Sequence, residues 1–118
     1  MKVIINIDIK GGGIMSLVFM ALYRPKTGKE NELKEILKVH IPTLREEGLI
    51  TDRELFTLQA EDGTIIEIAE WKSNEAIEKA HQSENVMSVW NKISSVAELT
   101  SLSSLPEAQV PFPNFKPL

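Results

Sequence analysis

The spacing of apolar residues changes repeatedly along this chain, and each change of period marks a change of element. Between Ser16 and Arg24 the run Leu17-Val18-Phe19-Met20-Ala21-Leu22-Tyr23 is short and almost continuously apolar, which predicts a core strand covered on both faces. Pro25 and Gly28 end it. From Glu30 onward Leu33, Ile36, Leu37, His40, Ile41 and Leu44 fall at helical spacing with Lys and Glu between them, an amphipathic helix closed by Gly48. Pro42 lies inside that helix, where it removes a backbone donor and crowds the carbonyl of Lys38, so a kink or break is expected near residues 38–42. Residues 54–60 and 64–71 then read as two strands joined by Glu61-Asp62-Gly63, a hairpin whose Asp-Gly pair supplies the positive-φ turn. Ser73 can cap a short helix carrying Ala76, Ile77 and Ala80, without a full capping box. A second helix from about Ser83 places Val86, Trp90, Ile93 and Ala97 on one stripe. A last strand is expected over residues 98–102, before a stretch, residues 103–118, that holds four prolines and reads as an extended arm.

This order of strand, helix, strand, strand, helix pair, strand is the ferredoxin-like βαββαβ plan of the α+β class, with helices on one face of the sheet. Both alternating sets of the first strand are apolar, so the other face is expected to be buried against a second copy, giving a homodimer. The expected organisation is one domain over residues 15–102 followed by the arm. Residues 1–14 admit two readings. Val3, Ile5, Ile7 and Ile9 alternate with Asn6, Asp8 and Lys10 as in an edge strand; equally, Gly11-Gly12-Gly13 before Met15 looks like a translated ribosome-binding site upstream of the natural start.

Composition narrows the chemistry. At 118 residues and 13.2 kDa the chain has room for one core only. Seventeen acidic against 13 basic residues, a net charge of −4 with no basic cluster, argue against nucleic acid as a partner. The absence of cysteine excludes disulfides, thiolate nucleophiles and cysteine-held metals, and it fits a cytoplasmic protein. No apolar run approaches the roughly 18 residues of a membrane span. The Gly28-Lys29 pair lacks the rest of a phosphate loop, no serine sits in a glycine elbow, and the two histidines are too far apart in sequence for a short-spaced zinc motif.

Several phrases point further: FMALYRPKTGKENEL running into the first helix, Glu70-Trp71 ending the hairpin, SNEAIEKAH closing on His81, and VMSVWNKI around Trp90. In these the chain from Leu17 to Leu118 resembles the antibiotic biosynthesis monooxygenase group of dimeric α+β barrel proteins, and its tail SLPEAQVPFPNFKPL resembles a small-protein subgroup mostly without an assigned reaction. The resemblance implies a dimeric α+β barrel with one small apolar pocket per subunit. Members include cofactor-independent monooxygenases of phenolic or quinol-like compounds, haem-degrading enzymes and uncharacterised proteins. The haem-degrading pattern is an asparagine on the first strand plus a tryptophan and a histidine ten residues apart. Trp71 and His81 keep that separation, whereas the asparagine position falls on Tyr23.

His81 follows Ile77 by one helical turn and is the candidate base, removing a proton from a phenolic substrate whose anion then reduces dioxygen. The plainer alternative is a helix-end histidine satisfied by a backbone carbonyl. Trp71 offers a flat wall and one N–H donor, and Tyr23 a hydroxyl at a strand end; the resemblance casts them as positioning the substrate and stabilising its developing oxyanion. His40 reads first as a hydrogen-bonded structural histidine and Trp90 as core, with Phe19 completing the aromatic set expected around a ligand. Glu67 and Glu70 fall on opposite strand faces and form no glycosidase-like pair. The expected function is a cofactor-independent monooxygenase acting on a small aromatic or quinol-like ligand, without metal or flavin. A non-catalytic small-molecule-binding or structural homodimer is the alternative, and haem binding or degradation is the third.

Overall fold

A computed structural model describes residues 15–118; both readings of residues 1–14 lie outside it. Its elements are β1 (Leu17–Pro25), α1 (Glu30–Glu46), β2 (Thr57–Gln59), β3 (Ile65–Trp71), α2 (Asn74–Gln82), α3 (Glu84–Val96), β4 (Ala97–Thr100) and β5 (Lys116–Pro117). The strands form one antiparallel sheet in the order β4-β1-β3-β2-β5. The first four strands keep the ferredoxin-like order, and all three helices lie on the face carrying Phe19, Ala21 and Tyr23 of β1.

Local chemistry sets the element ends. α1 begins with Glu30 and Glu32, whose charges suit the helix N-terminus, and ends where Gly48 takes φ +73°. There the amides of Gly48 and Leu49 bond back to the carbonyls of Arg45 and Leu44, and Leu49 packs on Leu44. Of the kink or break expected at Pro42, the break does not occur: α1 is continuous through it. Leu37, His40 and Leu44 anchor the helix to the core on either side of Pro42, which itself lies exposed. Ser73 and Ser83 cap α2 and α3, accepting from the amides of Ala76 and Val86 at 3.1 and 3.2 Å. The hairpin turns at Gly63, with φ +93° and its amide on Ala60 O at 3.0 Å.

The arm departs most from its expected form. It folds into two 3-10 turns, Leu102–Ser104 and Pro106–Gln109, and then adds β5 to the outer edge of β2. β4 correspondingly starts at Ala97 and stops at Thr100, and β2 is three residues long because the ladder with β3 ends at Thr57↔Glu67. Leu105, fully buried, packs with Leu22 and Ile66, and Ala108 and Phe115 lie against the same cluster. These residues occupy the sheet face opposite the helices.

That second face is covered only in part, so the expectation that β1 is shielded on both sides is not met within one chain. Val18, Met20 and Phe56 remain 58%, 49% and 69% exposed. At its end Glu70 is held by Arg53 (2.8 Å), Thr51 (2.9 Å) and Ser16 (3.0 Å), and these hydrogen bonds keep its carboxyl below the usual range.

The arm is therefore part of the core. Leu105→Ala should cost about 2–5 kcal/mol by urea unfolding, as for other fully buried leucines; a change below about 0.5 kcal/mol would show that the arm is merely laid on the surface.

Candidate functional site

Between the sheet and the helices lies a cavity of about 730 Å³, and all six residues singled out above line it: Phe19, Tyr23, His40, Trp71, His81 and Trp90. β1 contributes Phe19 and Tyr23, β3 contributes Trp71, and the three helices contribute one side chain each. Alternation along β1 and β3 turns Phe19, Tyr23 and Trp71 to the helix side, while the caps at Ser73 and Ser83 fix where α2 and α3 place His81 and Trp90. Phe19 and Trp71 pack at 5.0 Å between ring centroids, tilted by 32°, and form one wall. Met87, Ile93 and Leu99 extend the apolar lining.

The two histidines hold different positions. His81 is exposed at the end of α2, its ring edge-on to Trp90 at 5.0 Å. Its Nδ1 lies 2.9 Å from Ile77 O. A carbonyl only accepts, so Nδ1 carries the proton and Nε2 of the neutral ring keeps a lone pair. The backbone contact of the plainer reading is present, and it sets the tautomer a base requires.

His40 is buried, with both nitrogens engaged. The indole N–H of Trp90 donates to its Nε2 at 2.8 Å, so Nδ1 carries the proton and donates to Glu67 Oε1 at 2.8 Å. Tyr23 donates its hydroxyl to the same oxygen at 2.9 Å. Burial, reinforced by the charge of Glu67 and the hydrogen bond to it, pushes the Tyr23 hydroxyl far above the usual tyrosine range. Tyr23 thus stays protonated with its hydrogen directed at Glu67.

Glu67 itself was missed by pattern. Paired with Glu70 it forms no carboxylate couple, since the two lie on opposite faces of β3. It occupies an inward position between Ile65 and Ala69 and is 2% exposed, so a charge stands where the strand's alternation calls for an apolar side chain. That misfit was the available signal. Trp90 is half-buried, bridging the two core clusters on the helix side as well as lining the cavity.

Among the described residues no group of three or more His, Asp or Glu is placed to hold a metal ion. His81 Nε2 is the imidazole nitrogen with a lone pair to offer an iron; His40 is fully engaged. The arm lines no part of this cavity and so does not shield it, since its apolar residues pack on the opposite sheet face. No helix among the described residues is long and apolar enough to cross a membrane.

No known family profile and no curated protein matches the sequence. Solved structures do match. SnoaB, a cofactor-independent oxygenase from Streptomyces nogalater, is similar at 14% identity over 72% of this chain and 86% of its own, with a TM-score of 0.58. Rv0793 from Mycobacterium tuberculosis gives 15% identity over 73% and 91%, TM-score 0.59. A Nitrosomonas europaea protein provisionally named an antibiotic biosynthesis monooxygenase gives 17% over 72% and 81%, TM-score 0.55. At these identities the likeness shows the fold.

Replacing Trp90 by Phe removes the donor to His40 Nε2 and leaves a buried acceptor unpaired, which should cost about 1–3 kcal/mol by urea unfolding. Nitrogen NMR of the variant should still find the His40 proton on Nδ1; a proton moved to Nε2 would mean that Glu67 does not fix the tautomer.

Proposed function

We propose that this chain, whose fold is that of the antibiotic biosynthesis monooxygenase-like α+β proteins, is a cofactor-independent monooxygenase of small phenolic or quinol-like molecules. One observation carries the reading. A cavity walled by Phe19, Trp71 and Trp90 also contains His81, an imidazole whose Nε2 is left as acceptor by the bond from Nδ1 to Ile77 O.

In this reading a flat electron-rich substrate lies along the Phe19–Trp71 wall and presents a hydroxyl to His81 Nε2. Proton transfer to the imidazole yields the substrate anion, which passes one electron to dioxygen; the substrate supplies the electrons that a metal or flavin supplies elsewhere. Tyr23 positions the ring through its oxygen lone pairs, its hydrogen being held by Glu67. His40 and Trp90 keep the far wall in place. That SnoaB is a cofactor-independent oxygenase supports the general kind of reaction.

The same reading includes a homodimer. Val18, Met20 and Phe56 leave an apolar patch on the sheet face away from the helices, and a second copy turning the same face inward would cover it.

Oxygen uptake by the purified chain with a panel of quinols and phenols, without added metal or flavin, tests the activity. Uptake should fall about 100-fold or more in His81→Ala, the usual effect of losing a general base. Binding without uptake would make the chain a non-catalytic binder, and a Soret band with haemin that is lost in His81→Ala would make it a haem protein.

Sedimentation tests the assembly. The chain should run as a dimer and Met20→Glu as a monomer, because burying a lone carboxylate in that patch costs several kcal/mol; a monomeric parent chain would refute the pairing.

A further inference from the structure

Glu67 stands between two cavities. On one side lie Tyr23 and His40, which line the aromatic cavity and both bond Oε1. On the other, Glu67 lines a separate cleft of about 400 Å³ near the start of β2. Around that cleft stand Lys34, Lys38 and Arg45 from α1 and Arg53 from the segment before β2, with Glu54 and the C-terminal residue Leu118 also in its lining; Lys38 pairs with Glu35 and Arg53 with Glu70. Oε2 takes no hydrogen bond from any described residue. A carboxylate is costly to bury, and an apolar residue at this inward position of β3 would cost nothing comparable. The pair of cavities gives this one something to do.

We propose that Tyr23 and Glu67 form a proton relay from the aromatic cavity to the cationic cleft, serving ligands that carry an ionisable hydroxyl on an aromatic ring. The ligand hydroxyl donates to the Tyr23 oxygen. As its O–H bond breaks and a new one forms on Tyr23, the original tyrosine proton passes along the 2.9 Å hydrogen bond to Glu67 Oε1. Tyr23 ends as it began, a neutral phenol, and at no point has to exist as a phenolate. The ligand has become an anion and Glu67 a neutral carboxylic acid; as that carboxyl turns, the proton leaves the side of Tyr23 for water in the cleft, and the Tyr23 hydroxyl swings back to the carboxylate. His40 holds Oε1 in line from the opposite side, and Trp90 holds His40. His81 lies outside this chain of bonds, so the cavity has two separate exits for a proton.

The relay rests on the proposed function for its ligand class, but its test uses neither dioxygen nor turnover. The probe is 4-nitrophenol, whose ionisation is visible as colour, bound to the full chain and subjected to a rapid upward pH jump. The work is done in a His81→Ala background, so that the other base cannot contribute. In His81→Ala the ionisation of bound probe that remains runs through the relay, and adding either Tyr23→Phe or Glu67→Gln should slow that remaining rate about tenfold or more. Tyr23→Phe leaves the bond between His40 and Glu67 in place, so a folding defect in Glu67→Gln does not decide the matter. The relay is overturned if the added substitutions leave the rate that remains in His81→Ala unchanged, or if the probe does not bind. An inert chain that still shows the expected rates sinks the oxygenase reading and keeps the relay; an active chain with unchanged rates does the reverse.

Discussion

Two donors share one buried oxygen, and much of this molecule is arranged around that fact. Glu67 Oε1 receives the Nδ1 proton of His40 from α1 and the hydroxyl proton of Tyr23 from β1. The carboxylate thereby ties the first helix, the first strand and the central strand β3 at a single point, and Trp90 adds α3 through His40. Among apolar residues such bonds are directional where packing is not, so they fix how far each element can slide along its neighbours. A hydrophobic side chain at position 67 would fill the space but would leave the Nδ1 proton of His40 and the hydroxyl of Tyr23 without their shared acceptor. Both matter, because both line the aromatic cavity.

Much of the plan was legible in the sequence because it is written in short-range patterns. The β1 run, the helix through Leu33, Leu37 and Leu44, the Asp-Gly turn and the two serine caps each depend on residues within a few positions of one another. Pro42 does not end α1, because the tertiary anchors on either side of it outweigh the local cost of a proline there. The fifth strand was invisible for a different reason: Lys116 and Pro117 carry no strand pattern and acquire one only by pairing with Gln59 and Leu58 far away in the chain. Candidate site residues could be chosen by type, since aromatic and imidazole groups stand out in a chain with few of them. Glu67 could not, because its meaning comes from partners 27 and 44 positions distant.

The two faces of the sheet are closed by different means. On one, three helices enclose a cavity; on the other, a short arm places Leu105 and Phe115 over part of the surface and leaves the β1 side open. The arm thus completes the fold of its own chain at the β2 edge while leaving an apolar patch toward β1. The packed arm and the exposed patch occupy different parts of one face, and the polar network around Glu70 lies at the end of β3.

Both tryptophans of the chain stand in the wall of one cavity. Trp71 lies against Phe19, and Trp90 touches one imidazole with its edge while donating to the other. The entire indole emission of this protein therefore originates at its candidate site, and an imidazolium beside an indole is a known quencher of such light. Occupancy of the cavity and the charge on His81 can be followed by intrinsic fluorescence alone, with no label and no assumption about what the natural ligand is.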